Sequence, residues 1–532
     1  MNRREIIKSL SVLPFTGGLL YQDELLGSTV SATQDNIYRS IGVEPVINCR
    51  GTFTIIGGSI ERPQVLEAQE AASGQFVQYD ELAYGIGKRL AEITKSEWGM
   101  VAAGCAAAMK HFTAACVTGG NPEKLIRIPD LSGFDKFEVI IPRHSRNSYD
   151  HAVRNIGVKV ITVETPEEMR QAISKHTAMI YMITSPRSAT GQPFSLEVMA
   201  EIAKPHNIPI LVDAAAEDLT IPPVHLARGG TVVAYSGGKA ICGPQCAGLL
   251  LGDKKLLQSA WQASSPHHGP GRDNKVGKEE MMGMLAAVEA WTTRDHQKEW
   301  DTWVEWLDYI TKQVTKVKGV TTEVKQPRDL NNRAPMLVIK WDPQKMRITG
   351  EQVAEDCARK PPRLAIGSQD NEQEASVNVT PNQMQAGQEK IVAERLVKLL
   401  KAKRSPLKKE LKAPEVDLTG HWQVDIEFFS STSTHTLYLQ QDGNWLQGTH
   451  QGDFDSREVL GMVEGKQVKI RSGLHIPGDH VTFLFHGTAE NGSMKGSVFL
   501  GEYLNAKFKA TKATYSVKRK NISVPGGPPL AT

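Results

Sequence analysis

Hydrophobic positions follow two different rhythms along this chain. Through residue 405, short apolar runs rich in β-branched residues alternate with longer stretches of helical period. The runs are 43–48, 137–142, 159–163, 179–183, 208–212, 231–234 and 248–251. Continuous rather than alternating apolarity marks strands buried on both faces. Helical patterns over 63–77, 80–97, 150–156, 166–175 and 196–206 separate them, and a single long helix is expected over 279–317. The Ala-rich stretch Met100 to Met109 reads as the start of a helix reaching about Val117. Strands alternating with helices predict a mostly parallel sheet covered on both faces. Residues 319–405 continue as a smaller α/β unit, with strand 335–341, helix 350–359, a strand near 375–380 and helix 384–401.

From Asp417 the period changes to two. Trp422 to Phe428, Thr434 to Gln440 and Trp445 to His450 alternate apolar and polar positions, and the pattern repeats to Ala510. Asp442-Gly443-Asn444, Glu464-Gly465-Lys466 and Asn491-Gly492 mark tight hairpins. About eight short strands of this kind predict a small up-and-down barrel or a meander sheet, filled by its own side chains, with ligand binding or cover for the active site as the alternatives. Thr419-Gly420-His421-Trp422 resembles the Gly-x-Trp opening of lipocalin-like barrels. The shifts in pattern divide the chain into a targeting segment (1–32), a large domain with its N-terminal segment (33–318) and a small domain (319–402). A basic, Pro-punctuated linker (403–416), the barrel (417–515) and a tail (516–532) follow.

Candidate chemistry gathers where strands end. Thr231 to Ala234 runs into Ser236-Gly237-Gly238-Lys239, whose glycines permit a sharp turn and close approach to a ligand. A lysine there is partly desolvated, which frees its amine to attack a carbonyl. Asp213 stands at the end of strand 208–212, and in open α/β sheets ligands sit at the carboxyl ends of strands. A lysine and an aspartate, each closing a successive strand, match the needs of pyridoxal 5'-phosphate (PLP). That cofactor is held covalently by a lysine, and an acid keeps its ring nitrogen protonated. Gly104, Cys105 and Ala106 offer open backbone N–H groups to its phosphate. Ser236 can donate its hydroxyl to the same group, and Ala215 beside Asp213 completes the candidate cofactor site.

These pieces, in this order, resemble fold-type I PLP-dependent enzymes, specifically the bacterial selenocysteine synthase (L-seryl-tRNA(Sec) selenium transferase) group. That group takes in D-glucosaminate-6-phosphate ammonia-lyase-like relatives. The stretches that carry the likeness are VINCRGTFTIIGGS (46–59), FVQYDELAYGIGKRLAEITKSE (76–97), AAGCAAAM (102–109), LVDAAAED (211–218), YSGGKAICGPQCAGLL (235–250) and GRDNKVGKEEMMGMLAAVEAW (271–291). It departs from the group at Ser96-Glu97-Trp98, where relatives often carry Gly-Ala-Glu, and at Arg50, where they carry a small residue. The resemblance implies an α/β fold with large and small domains and strand 248–251 running antiparallel. It implies His144, with Tyr149 second, on the cofactor face and Arg363 clamping a substrate carboxylate. It also implies a homodimer or larger assembly whose sites draw on two subunits. Arg50, Arg272 and Lys275 are further candidates for the substrate side. Basic residues before helix 279–317 oppose the helix dipole, so an anion is expected near them.

Composition narrows the reading. The chain has 532 residues, with 62 Lys+Arg against 59 Asp+Glu and a net charge of +3. That near balance argues against a nucleic-acid-coating surface, so no nucleic-acid partner is expected and a small amino compound is. Six cysteines lie scattered with no CxxC or metal-ligand spacing, so no metal is expected. Arg3-Arg4, the apolar stretch Ser9 to Leu20 and Val30-Ser31-Ala32 read as a twin-arginine signal, with no membrane span. That route exports folded proteins, so the expected location is periplasmic or extracellular, with the cytoplasm as alternative. The activity expected is α,β-elimination, a dehydratase or ammonia-lyase reaction, on an amino acid or amino-sugar acid. Selenium transfer and transamination are the alternatives within PLP chemistry. An exported binding protein with a relic fold is the alternative from another class.

Overall fold

The computed structural model describes residues 36–371, 373–406, 411–473, 478 and 480–514. The expected targeting segment, the tail beyond 515 and part of the 403–416 linker lie outside the described residues. Among the described residues, 36–46 belong to one unit and those from Ile47 onward to a second. In the first, Arg39 binds the Glu44 carboxylate at 2.8 Å.

The second unit contains a seven-stranded sheet: β1 (Trp98–Ala102), β2 (Glu138–Pro142), β3 (Lys159–Val163), β4 (Thr177–Ile183), β5 (Ile210–Asp213), β6 (Val232–Ser236) and β7 (Gly248–Gly252). Their order is β1-β7-β6-β5-β4-β2-β3. Only β7 runs against its neighbours; every other adjacent pair in the sheet is parallel. Val139, Ile140, Ile141, Leu211, Val212, Val232 and Val233 are fully buried, because helices cover both faces. A four-stranded antiparallel sheet follows, built from Val320–Lys325, Met336–Trp341, Gly367–Asp370 and Ala375–Val379. The C-terminal region is a closed antiparallel barrel of eight strands between Gly420 and Ala513. Trp422, 1% exposed, anchors its core and donates from Nε1 to the Leu418 carbonyl at 2.8 Å.

Three elements differ from expectation. Met100 to Ala102 is strand, because the full run from Trp98 pairs with β7 and the sheet overrides the helix propensity of alanine. The helix begins only at Cys105, after Gly104 with φ of 89°. The helix expected over 279–317 is two, Lys278–Thr293 and His296–Val314. Asp295 caps the second by accepting from Lys298 N at 2.9 Å, while Arg294 is extended. Lastly, Glu279 and Glu280 occupy the first turn of the Lys278 helix, and Lys278 Nζ donates to the Ala72 carbonyl at 2.7 Å. The dipole is thus satisfied within the chain, which removes the argument for an anion at that helix start.

The sheet register brings β7 against the start of the Cys105–Thr118 helix. A Cβ on Gly248 would lie 2.3 Å from Gly104 C and 2.5 Å from Cys105 N. Gly248→Ala therefore has to push the helix start away, at a cost of about 1–3 kcal/mol. Gly85→Ala, which meets open space in the Tyr79–Thr94 helix, is expected to gain about 1 kcal/mol. Urea unfolding midpoints should move in opposite directions for the two; parallel shifts would contradict this packing.

Candidate active site

Strand pairing decides which side chains share a face. Ile183 pairs with Asp213, Asp213 with Ala234, and Ser236 with Gly248. Directly paired residues project to the same face, and a period of two adds Tyr181 to that row. The would-be Cβ of Gly248 points at Gly104 and Cys105, so this is the face on which the Cys105 helix begins. Tyr181, Asp213, Ser236 and that helix start therefore surround one space. Cys105, Ala106 and Ala107 sit in the first turn, whose N–H groups have no intrahelical acceptor.

The Lys239 turn is held from several sides. Gly237 N donates to Ala247 O at 2.8 Å, and Gly243 N to Gly237 O at 2.8 Å. Ser59 N reaches Gly238 O at 3.1 Å, and Arg62 N reaches Cys242 O at 3.2 Å. Arg294 Nη1 donates to Ala240 O at 3.0 Å. A Cβ on Gly238 would strike Gln245 Cα at 2.6 Å, so only glycine fits there. Lys239 itself is half-buried. Among the described residues, no hydrogen bond or ion pair engages its amine.

Asp213 is 2% exposed. One oxygen accepts from Tyr181 OH at 2.8 Å, the other from Ala215 N at 3.1 Å and the Cys105 thiol at 3.9 Å. Burial pushes the acid above the usual carboxylate range; the Tyr181 and Ala215 hydrogen bonds and the nearby Lys239 charge pull it back. Among the described residues no cationic group forms an ion pair with Asp213. Burial, reinforced by the Asp213 charge, holds the Tyr181 hydroxyl and Cys105 thiol well above their ordinary values, so both stay protonated as donors. His144 follows β2 in a single 3₁₀ turn, edge-on to Phe194 with ring centres 6.0 Å apart. Its Nε2 is buried without a partner, and burial followed by Arg187 repulsion lowers its pKa. Asn147 Nδ2 donates to Tyr181 OH at 3.0 Å, tying the same loop to the acid.

A cavity of about 140 Å³ opens beside the lysine turn, lined by Ala240, Cys242, Arg294, Trp303, Asn332 and Arg333 among others. None of the four substrate-side candidates lines it. Arg50 is exposed and lies over the Phe53 ring. Arg272 and Lys275 are exposed, with Arg272 Nη1 3.4 Å from Ser265 Oγ. Arg363 donates to the Ala358 carbonyl at 2.6 Å, where it closes the end of the Gly350–Arg359 helix. Tyr149, the second choice for the ring face, is 55% exposed. The cavity's cations are instead Arg294, neutralised by Glu299 at 2.9 Å, and Arg333, 3.7 Å from Asp218 and half-exposed. Sequence reasoning missed both, and missed Tyr181. A tyrosine inside an apolar buried run was the available signal, since a buried hydroxyl needs a partner.

Comparison with known proteins supplies the remaining observation. Residues 144–276 match the aminotransferase class-V family. The chain is 28% identical over 300 residues to a D-glucosaminate-6-phosphate ammonia lyase of Salmonella typhimurium, covering 55% of this chain and 78% of that one. It is 29% identical over 302 residues to a 5'-C-glycyluridine monooxygenase-decarboxylase of a Streptomyces species, covering 54% and 73%. A solved D-glucosaminate-6-phosphate ammonia-lyase structure superposes with a TM-score of 0.61 at 23% identity, over 69% of this chain and 98% of that one. This chain is a PLP-dependent enzyme of fold type I, a lyase or a transferase. The residues present fit the cofactor. Asp213 is a buried carboxylate in no ion pair among the described residues, as a protonated ring nitrogen would need; the helix start and Ser236 suit a phosphate; and His144 Nε2 is buried without a hydrogen-bond partner. When bound, PLP supplies an electron sink for a developing carbanion.

Tyr181→Phe removes a hydrogen bond to a buried carboxylate, worth about 1.5–3 kcal/mol. Cofactor affinity of the enzyme is expected to fall roughly ten- to hundred-fold. Because burial already raises the acid's pKa and the hydroxyl opposes that rise, the variant's acid should titrate at still higher pH. Loss of the bound-cofactor absorbance on acidification should therefore begin at higher pH than in the wild type. An unchanged midpoint would show that Tyr181 does not support Asp213.

Proposed function

We propose that the enzyme is an α,β-eliminating lyase acting on an amino acid or amino-sugar acid. The observation that carries the reading is the unpartnered Lys239 amine, on the Asp213 side of the sheet, beside a cavity containing a half-exposed arginine. In this reading Arg333 holds the substrate carboxylate. Asn332, Asn382 and Gln383 offer amides to hydroxyl groups, and Trp300 and Trp303 wall the same space. Lys239 Nζ takes the α-proton and returns a proton to the departing β-hydroxyl, which leaves as water. The enamine released hydrolyses to a 2-oxo acid and ammonia. The D-glucosaminate-6-phosphate ammonia lyase likeness supports an amino-sugar acid as substrate. The monooxygenase-decarboxylase likeness shows why the fold alone does not choose the reaction. The balance of 62 basic against 59 acidic residues gives selenium transfer to a tRNA no support.

Two further parts of the reading concern the cell and the assembly. Arg3-Arg4 and the apolar stretch after them support export of the folded enzyme with its cofactor already bound. Ile55 (83% exposed) and Phe76 (102% exposed), with Phe53 and Tyr84, support a second copy covering this segment.

Incubation with β-hydroxy amino acids and amino-sugar acids should yield ammonia and a 2-oxo acid in equal amounts. Arg333→Ala should raise KM at least about ten-fold while changing kcat less, as loss of a carboxylate clamp predicts. Amino transfer to an added 2-oxo acid without ammonia release would overturn the lyase reading in favour of transamination.

A further inference from the structure

The barrel interior is apolar over most of its length and polar at one end. There His435 (2% exposed), His450 (1%) and Ser472 (0%) point inward. Their paired residues Val424, Leu437 and Val459 belong to the barrel core, which confirms the facing. The polar groups form a chain: His435 Nδ1 lies 2.9 Å from His450 Nε2, and His450 Nδ1 lies 2.7 Å from Ser472 Oγ. Burying polar groups inside a barrel core costs free energy that apolar residues of similar size would not. The chain satisfies itself except at His435 Nε2, which is buried and makes no hydrogen bond. The Asp453 carboxylate stands 3.5 Å from that atom, held in place by Ser433 Oγ at 2.5 Å.

The carboxylate fixes the direction of the chain. Placing the His435 hydrogen on Nε2, the nitrogen nearer the carboxylate, makes Nδ1 the acceptor from His450 and makes His450 the acceptor from the Ser472 hydroxyl. Burial and the neighbouring His435 lower the His450 pKa to about 4, leaving it neutral near pH 7. The chain thus ends in an N–H donor and a carboxylate acceptor side by side, at the base of a cavity of about 330 Å³. Phe483 presents its edge to both imidazoles, with ring centres 5.4 and 5.1 Å away. Phe454 (99% exposed) and Tyr503 (49%) stand at the rim.

A hydroxyl, donor and acceptor at once, matches this pair. Arg457 also lines this cavity, but Asp455 engages it at 2.8 Å and it donates to the Val481 carbonyl, so a ligand carboxylate meets Asp453 and Asp455 as like charges. The volume is at the small end for ligand pockets, enough for one ring. We propose that this end of the barrel binds an uncharged aromatic alcohol of one ring, its hydroxyl bridging His435 Nε2 and Asp453 Oδ2.

The test is calorimetric titration of the full-length holoenzyme with phenol, anisole and benzoate. Phenol should bind saturably, and anisole and benzoate at least about ten-fold more weakly, the cost of losing a hydrogen bond to a charged group. His435→Leu should abolish phenol binding while the bound-cofactor absorbance and circular dichroism stay unchanged. If that variant does not fold, Asp453→Ala, whose side chain is 49% exposed, should still weaken phenol binding about ten-fold. Equal binding of anisole and phenol would mean an apolar hole only. Tighter benzoate binding would mean an anion site on Arg457, and no saturable phenol binding would mean no site. Each of these overturns the proposal without bearing on the chemistry at Lys239.

Discussion

A carboxylate in no ion pair among the described residues, shut away at the end of a parallel strand, is the constraint on which this structure turns. Asp213 is almost wholly removed from water, and burial pushes its pKa above the usual carboxylate range. Tyr181, the Ala215 amide and the Cys105 thiol spend their hydrogen bonds on keeping it ionised. Ala215 reaches the acid from two residues along the chain, while the sheet brings Tyr181 and Cys105 to it from distant segments. Asp213 would hold a protonated pyridine nitrogen if the cofactor bound at this strand end. The sheet register brings the helix start at Cys105 and the Lys239 turn to this end of the sheet, where the first would hold a phosphate and the second the aldehyde carbon.

The second layer of the design is rigidity at the lysine. The turn carries glycines where a Cβ would collide with Gln245 or Met284, and it is stitched to residues 59–62 and to Arg294. Arg294 is available because the chain breaks between two helices at Asp295. A helix break far along the sequence therefore supports the amine and shapes the cavity next to it.

What was legible in the sequence was local. Lys239, Asp213 and the Gly104–Cys105 start each sit at a strand or helix end with a composition that announces it, and the barrel's period of two was plain. What was not legible depended on tertiary pairing. Tyr181 matters because β4 lies beside β5, and Arg333 matters because its loop docks on Ala216 and Asp218. Met100 to Ala102 looked helical because alanine favours helices, but pairing with β7 made it strand. Arg363 matched a role known from resemblance, while its geometry assigns it to a helix end. The polar end of the barrel was equally hidden, since His435, His450 and Ser472 meet only through the pairing and inward facing of successive strands.

The central claim is that one amine, Lys239 Nζ, carries the cofactor. Borohydride reduction of the purified holoenzyme, followed by digestion and mass mapping, tests it directly. The account predicts a single pyridoxyl group on the peptide containing Ser236-Gly237-Gly238-Lys239. A label on any other lysine, or a protein that takes up none, would contradict it.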